Sequence, residues 1–485
     1  MKLNEILKDV EKIQTLNQGN PEITGIAYDS RKVKPGYLFV CIDGVEDDGH
    51  KYIQKAWDMG AAAALVTKNI PEVGAPVVFT SDARIALAKC SANFYANPSH
   101  EMKLMGITGT KGKTTTSFMI KYIMDRAFGD CAIMGNIGID YKDVHISTSQ
   151  NTPQSSDLQA VLRDMVNSGV ENGIMEVTSM GLSQYRTGFT HYSIGMFTNI
   201  SRAHIGSREH RDFDEYLAAK AMLFSMCDKA IINIDDPHSD YIIDSAKCPV
   251  TTLSAKCNAD VTATDIRMRG DGSTFTFTGL GKQFDIIVEM PGMFNVYNAA
   301  FAAAAAVMSG ADEKSVIEGI KNVIVPGRCE KQDIDTDYSV IIDYAHSPDS
   351  LEKLLEAMKE FAEGRVVSVF GCGGDRDNTM RPMMGQISGR IADFTIVTTD
   401  NPRHEVPGEI IRQIETGIKH TNGEYICIED RTEAIEYAMR NAKKNDLVIL
   451  AGKGHETYLD KMGKKTHYDE REIVLEVLEK LRGEQ

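Results

Sequence analysis

No run of about 18 apolar residues occurs in these 485 residues, so no segment reads as a membrane-spanning helix. No two cysteines stand in a CxxC pair. The nine are scattered and odd in number, which argues against a disulfide framework and reads as the reduced thiols of a cytosolic protein. No basic block offsets the formal net charge of −16, which argues against nucleic acid as a bulk electrostatic partner. An anionic substrate would need local basic residues acting against that overall field. The opening stretch MKLNEILKDVEKIQ is charged and amphipathic and lacks a signal-type apolar core, so a cytoplasmic location is expected. No internal repeat or low-complexity tail is visible, and a GCGG segment lacks the GxGxxG spacing of a dinucleotide fingerprint.

What is present is ordinary globular composition in a chain too long for one hydrophobic core, so about three domains are expected. The organising stretch is GITGTKGKTTT, from Gly106 to Thr116. The apolar run MKLMGI before it is of strand type, and TTTSFMIKYIMDRA after it has helical spacing. A glycine-rich turn between strand and helix aims backbone N–H groups and a helix N-terminus at one point, where a phosphate binds. Lys113 supplies a mobile positive charge and Thr114 a hydroxyl suited to Mg²⁺. The pattern GxxxxGK[ST] fails by one residue, because its first glycine falls on Ile107.

Residues 1–98 read as a small α/β unit, closed by the linker-like ANPSHEMK. Residues 99–326 read as a nucleotide-binding domain. Within it, NGIMEVTS is a strand ending at Glu176, and FDEYLAAKAMLFSM is a helix carrying Lys220. Residues 260–290 alternate with period two and predict a β-hairpin insertion. Residues 327–485 alternate strands and helices, which predicts a doubly wound α/β domain with its polar motifs at strand C-terminal ends. Alone, Glu176 reads as a solvated strand end, His204 as a loop histidine and Lys220 as a surface lysine.

Together the ordered motifs resemble the Mur ligases, and within that family they are most similar to the MurE type. The motifs are YDSRKVKPGYLFV at 28–40, TGTKGKTTT at 108–116, NTPQSSDLQ at 151–159, MEVTS at 175–179 and YLAAKAMLF at 216–224. They continue with GMFNVYNAA at 292–300, VPGR at 325–328, DYAHSPDSL at 343–351, GCGGDRD at 371–377, DNPR at 400–403 and GKGHE at 452–456. The resemblance implies three domains: a UDP-sugar-binding domain, a central ATP-binding domain and a C-terminal Rossmann-like amino-acid-binding domain. It implies a monomeric ligase that uses ATP and Mg²⁺. The acid is activated as an acyl phosphate, and an amine then attacks it to form an amide.

By resemblance, Gly109, Thr110, Lys111, Gly112, Lys113, Thr114, Thr115, Asn298, Arg328 and Asp343 contact ATP. Metal falls to Thr114, Glu176, His204 and a carbamylated Lys220. Ser30, Asn151, Thr152, Thr178, Gln184 and Arg186 match positions that hold the UDP-N-acetylmuramoyl-dipeptide. Arg376, Asp400, Asn401, Pro402, Arg403, Gly452 and Glu456 match the amino-acid pocket. In the family, arginine at the last place of DNPR goes with meso-diaminopimelate, whose distal carboxylate suits a guanidinium fork. Three departures cluster near the acceptor carboxylate and metal: TSMGL for SSHAL, AHIGSREH for DHLDYHG, and Asn151-Thr152 for a double threonine. Three alternatives stand beside this reading: a ligase for lysine or another diamine; a folate-type polyglutamate ligase, against which the DSRKVKPGYLF unit and DNPR speak; and a non-catalytic nucleotide-binding paralogue, motivated by Met180 and Ala203.

Overall fold

A computed structural model describes residues 1–44, 47–70, 74–148, 150–202, 205–206, 209–269 and 272–484, apart from the side chain of Phe361. The chain forms two compact units. One comprises Met1–Ala263, Phe277–Phe284 and Asn298–Ile320; the other comprises Thr264–Thr276, Asp285–Tyr297 and Lys321–Gln485.

The first unit begins with a five-stranded sheet in the order Gln14–Leu16, Val77–Phe79, Ala63–Val66, Tyr37–Val40, Gly25–Ala27. All pairings are parallel except that of the Gln14–Leu16 edge. Ala63–Val66 is buried at every position, as a central parallel strand covered on both faces requires. The helix Ala83–Phe94 follows, capped by the Asp82 carboxylate through the Arg84 and Ile85 N–H groups.

The same unit then builds a larger, mostly parallel sheet. The phosphate-loop strand Lys103–Thr108 lies between Asn172–Glu176 and Ile194–Phe197. Glu176 is in register with Ile107, and Phe197 with Thr108. Both flanking strands therefore end beside the glycine-rich turn and deliver Glu176 on one side and Thr198-Asn199 on the other. Ala230–Asn233 and Val250–Ser254 extend the sheet in parallel. The core beneath it includes Met134, Leu158, Met175, Phe197, Leu223 and Phe224.

The second unit carries a six-stranded sheet in the order Glu330–Lys331, Ser339–Asp343, Leu447–Ala451, Val366–Phe370, Phe394–Val397, Glu424–Cys427. It is parallel except at the Glu330–Lys331 edge. The register sets Ala451 between Asp343 and Phe370, and Phe370 beside Val397. The polar motifs after these strands thus emerge at one end, as the alternation predicts. Arg431 ties that end together from below. It is buried with Glu470 (Nε to Oε1, 2.7 Å) and donates to the Ala451 and Thr399 carbonyls.

Local departures have local causes. The expected hairpin at 260–290 is a meander of three strands, Val261–Arg269, Gly272–Gly279 and Lys282–Val288. The helix Phe213–Ala221 tightens into a 3₁₀ turn at Met222–Ser225. The helix Met380–Ile391 carries Pro382, Gly385 and Gly389, which blur its helical pattern. Those glycines serve packing. A Cβ on Gly385 would strike the Ile414 carbonyl, and one on Gly417 would strike that of Pro382. The close seating of this helix on Pro407–Ile418 overrides its weak propensity.

Candidate active site

The phosphate loop is a turn whose geometry only glycine allows. Gly112 has φ +87°, and a Cβ there would strike the Asn298 amide oxygen. A Cβ on Gly109 would strike the Thr198 hydroxyl. The helix Lys113–Phe128 starts immediately after, on Gly112, which has no side chain to cap it. The first N–H groups of a helix point toward the turn that precedes it. The loop is pinned from the neighbouring strand. Thr110 N–H donates to the Asn199 carbonyl (2.9 Å), and Lys111 N–H to the Asn199 side-chain oxygen (3.0 Å). The Thr110 hydroxyl meets the Tyr216 hydroxyl at 2.9 Å. Thr115 is buried in the helix's first turn, and the Thr116 hydroxyl donates to Asn298 at 3.2 Å.

Two ammonium groups share one loop carbonyl. Lys113 Nζ donates to the Gly109 oxygen at 2.9 Å and to that of Thr110 at 3.3 Å. Lys220 Nζ donates to the same Gly109 oxygen at 2.9 Å. Lys220 is buried, not the surface lysine its position alone suggests, and lies over the Tyr216 ring. Burial, and secondarily the Lys113 charge, hold its amine well below the usual lysine range.

Glu176 is likewise buried at its strand end. The Thr114 hydroxyl donates to Glu176 Oε1 at 2.8 Å, and Asn136 N–H to the same oxygen at 3.1 Å. Gly135 leaves room for that carboxylate, which a Cβ would strike. A hydroxyl and a carboxylate, both hard oxygen donors side by side at a phosphate loop, fit Mg²⁺. Ala203 and His204 lie outside the described residues.

From Glu176 a hydroxyl chain runs outward. Thr152 Oγ1 donates to the Glu176 carbonyl (3.1 Å) and accepts from Thr178 N–H (3.1 Å) and the Thr178 hydroxyl (3.0 Å). Thr178 in turn caps the helix Ser179–Ser183 through Gly181 N–H. The departure at Thr178 thus retains a working hydroxyl, and Thr152 keeps the second threonine of the pair. Arg186 donates to the Thr152 carbonyl (3.2 Å) and in a fork to Gln184 (3.1 and 2.7 Å). Asn151 is half-buried beside them. Ser30 is buried at the start of a 3₁₀ turn capped by Asp29. Nearby, Tyr28 donates to Asp157 at 2.7 Å.

The second unit gathers a different set. DNPR and GKGHE meet directly: Asn401 Nδ2 donates to Glu456 Oε2 at 2.7 Å. Arg403 adopts φ +49° and is held by the hairpin strand, donating to the Asp460 carbonyl (2.9 Å) and accepting from Met462 N–H (2.6 Å). Its guanidinium donates to the Gly374 carbonyl at 2.6 Å. The Pro402 carbonyl packs against Gly374, where a Cβ would strike it. Asp400 is buried; one carboxylate oxygen accepts Asn401 N–H and the other faces Gly452. Burial, then the Asp400 charge, lifts the Glu456 carboxyl above its usual range. Arg376 is exposed at the rim, with its stem near Gly373. Buried Arg381 braces that loop through Glu405 and the Gly373 carbonyl.

Gly452 N–H donates to the Asp343 carbonyl at 3.0 Å. The Asp343 carboxylate accepts from Cys329 and Ala345 N–H, both at 2.8 Å, while burial raises its pKa. The Arg328 guanidinium lies 4.6 Å from the Tyr344 ring centre.

Three family models match this chain in order: "Mur ligase family, catalytic domain" over residues 22–95, "Mur ligase middle domain" over 107–306, and "Mur ligase, glutamate ligase domain" over 327–454. A UDP-N-acetylmuramoyl-L-alanyl-D-glutamate--2,6-diaminopimelate ligase of Caldanaerobacter subterraneus subsp. tengcongensis is 45% identical, covering 99% of both chains.

This chain belongs to the Mur ligase family.

A solved structure of an enzyme of that same name is 29% identical, with TM-score 0.74 and 99% of each chain covered. A more distant Mur ligase structure, the MurF ligase of Thermotoga maritima in complex with ADP, shares the fold at 16% identity and TM-score 0.63, covering 95% of this chain and 98% of its own. Several Mur ligase site contacts had no sequence signal. Asn199, Asn136 and Tyr216 steady the loop and Glu176, but single asparagines and a tyrosine after apolar runs carry no spacing rule. Lys453 stands inside GKGHE without an assigned role.

Among the described residues, no helix is long and apolar enough to cross a membrane. All nine cysteines are free thiols.

Proposed function

We propose that this Mur ligase joins meso-diaminopimelate to UDP-N-acetylmuramoyl-L-alanyl-D-glutamate in the cytoplasm, with ATP as the activating co-substrate. A carboxylate resists attack by an amine, so the acid is converted to an acyl phosphate before the amide forms. The observation that carries the reading is the DNPR–GKGHE meeting, where Asn401 joins Glu456 and Arg403 projects from the same turn. A carboxylate and a guanidinium supplied by two motifs that meet are the complement of a zwitterionic amino-acid end. The ordered motif set and the name the relatives carry support the same substrate pair.

Residue by residue, the loop from Gly109 to Thr115 cradles phosphates with backbone N–H groups, and Asn298 braces the turn. Lys113 leaves its loop carbonyls to balance charge on the transferring phosphoryl group. Mg²⁺, held by Thr114 and Glu176 with His204, would neutralise phosphate charge when bound. We assign Arg328 and Asp343 to nucleotide contact. Ser30, Asn151, Thr152, Thr178, Gln184 and Arg186 hold the UDP-dipeptide. Arg376, Asp400, Asn401, Pro402, Arg403, Gly452 and Glu456 hold the amino acid. The domain limits 1–98, 99–326 and 327–485 and a monomeric state belong to the same reading.

Lys220 is proposed to be carbamylated. Its depressed pKa increases the share of uncharged amine, the form that adds carbon dioxide. The peptide containing Lys220, taken from protein kept in bicarbonate, is expected to be heavier by one carbon dioxide; an unmodified mass would remove this assignment. The whole reading is tested by mass measurement of the amide product from ATP, the UDP-dipeptide and a mixture of diaminopimelate, L-lysine and L-glutamate. Diaminopimelate is expected to dominate. Product carrying lysine or glutamate instead would replace it with one of the alternatives, and no product would favour the non-catalytic one.

A further inference from the structure

The GKGHE segment contains a cation whose surroundings are unusual. Lys453 is fully buried. Its ammonium donates to the Tyr458 carbonyl at 2.6 Å and to Asn401 Oδ1 at 3.3 Å, and stands 3.6 Å from Glu456 Oε2. The Tyr458 and Tyr468 rings lie 5.6 and 5.8 Å away. Asn401 Oδ1 also accepts Asp460 N–H at 2.9 Å. Two donors thus converge on one amide oxygen. Rotating that amide by half a turn would set its NH₂ against an ammonium and an N–H, so its orientation is fixed. The NH₂ is thereby committed to Glu456, at 2.7 Å.

We infer that Lys453 is the positioning residue of the amino-acid pocket: it locks the Asn401 amide toward Glu456 and supplies the positive charge that balances Glu456. This rests on the amino-acid role proposed for the pocket. Glu456 faces the Asp400 carboxylate, the Tyr344 ring and, at 3.4 Å, the Tyr458 hydroxyl; among the described groups acting on it, Lys453 is the opposing cation. Burial and Asp400 already favour the protonated acid, which cannot pair with an ammonium. Without Lys453, Glu456 would take up its proton at higher pH.

The test uses the full chain and its Lys453→Met variant. The infrared carbonyl band of protonated Glu456, identified by its loss in Glu456→Gln, is followed against pH without substrates. In Lys453→Met its midpoint is expected to move up by about one pH unit. With substrates, KM for diaminopimelate is expected to rise about tenfold or more, while KM for ATP and for the UDP-dipeptide stays put. The acid limb of kcat/KM for diaminopimelate should follow the band, and Lys453→Arg should recover part of the loss. An unmoved Glu456 midpoint, or an equal rise in all three KM values, would overturn the inference. Wild-type protein inactive with diaminopimelate would count against the proposed substrate alone, because the band reads Glu456 without turnover. If Lys453→Met does not fold, the pair Lys453→Met/Glu456→Gln removes both charges together. Relative to Glu456→Gln, it should cost nothing more in KM for diaminopimelate; a further tenfold rise would end the inference.

Discussion

Replacing Lys113 by alanine is expected to lower kcat for amide formation by about 10²–10³, the usual cost of losing one preorganised charge at a transferring phosphoryl group. The side chain lies at the first position of a helix whose N-terminus faces the turn, and it rests on the Gly109 and Thr110 carbonyls. Those contacts are weak anchors for an ammonium that a phosphate would attract more strongly. Lys113 is only half-buried, so the melting temperature should stay near that of wild type. A second effect follows from its neighbour. The Lys113 charge is one of the two causes that depress the Lys220 pKa, after burial itself. Without it the Lys220 pKa rises, less free amine is present at neutral pH, and carbamate formation is weakened. Added bicarbonate should therefore stimulate Lys113→Ala more than wild type. The measurement is phosphate release dependent on both co-substrates, with and without bicarbonate. A variant within tenfold of wild-type kcat would show that the loop lysine is not the charge this chemistry uses.

The phosphate loop was legible because its requirements are local. A turn that excludes side chains at Gly109 and Gly112, followed at once by a lysine, a hydroxyl and a helix, is written in consecutive residues. The doubly wound C-terminal sheet was legible for the same reason, since each strand and helix declares its own period. What sequence could not give is register. Glu176 becomes part of the loop because it pairs opposite Ile107, and nothing in NGIMEVTS marks that alignment. Burial hides in the same way. Lys220 sits in a helix whose lysine would ordinarily snorkel to solvent, and only the surrounding sheet ends leave it enclosed. The helix Met380–Ile391 carries glycines of weak helical propensity, and what they do, admitting a neighbouring backbone, shows only in the packed structure. The resemblance to the family supplied Glu176, Lys220 and the amino-acid pocket before geometry did; the loop-steadying Asn136, Asn199 and Tyr216 needed the fold.

Arg403→Ala carries the other large expectation: kcat/KM for diaminopimelate should fall by about 10²–10⁴, with KM for ATP unchanged. The argument begins with the backbone. A non-glycine residue at φ +49° costs about 1–3 kcal/mol unless its surroundings enforce it. Here two hydrogen bonds to the adjoining hairpin, through Asp460 and Met462, enforce it. That conformation directs the side chain toward the GCGG loop, where one guanidinium nitrogen takes the Gly374 carbonyl. The remaining N–H groups of the fork are the donors proposed for the distal carboxylate of diaminopimelate. Lysine lacks that carboxylate and would leave the guanidinium without its anion, which is the basis of rejection. Removing the guanidinium should therefore abolish most of the preference: diaminopimelate use drops steeply, L-lysine use changes little, and their ratio moves toward one. Arg403→Lys keeps a charge but not the planar fork, so it should fall between wild type and alanine. Competing the two amino acids in one reaction and weighing the products reads the ratio directly. If Arg403→Ala lowers both amino acids equally, the arginine supports the fold of the turn and the selection lies elsewhere in the pocket.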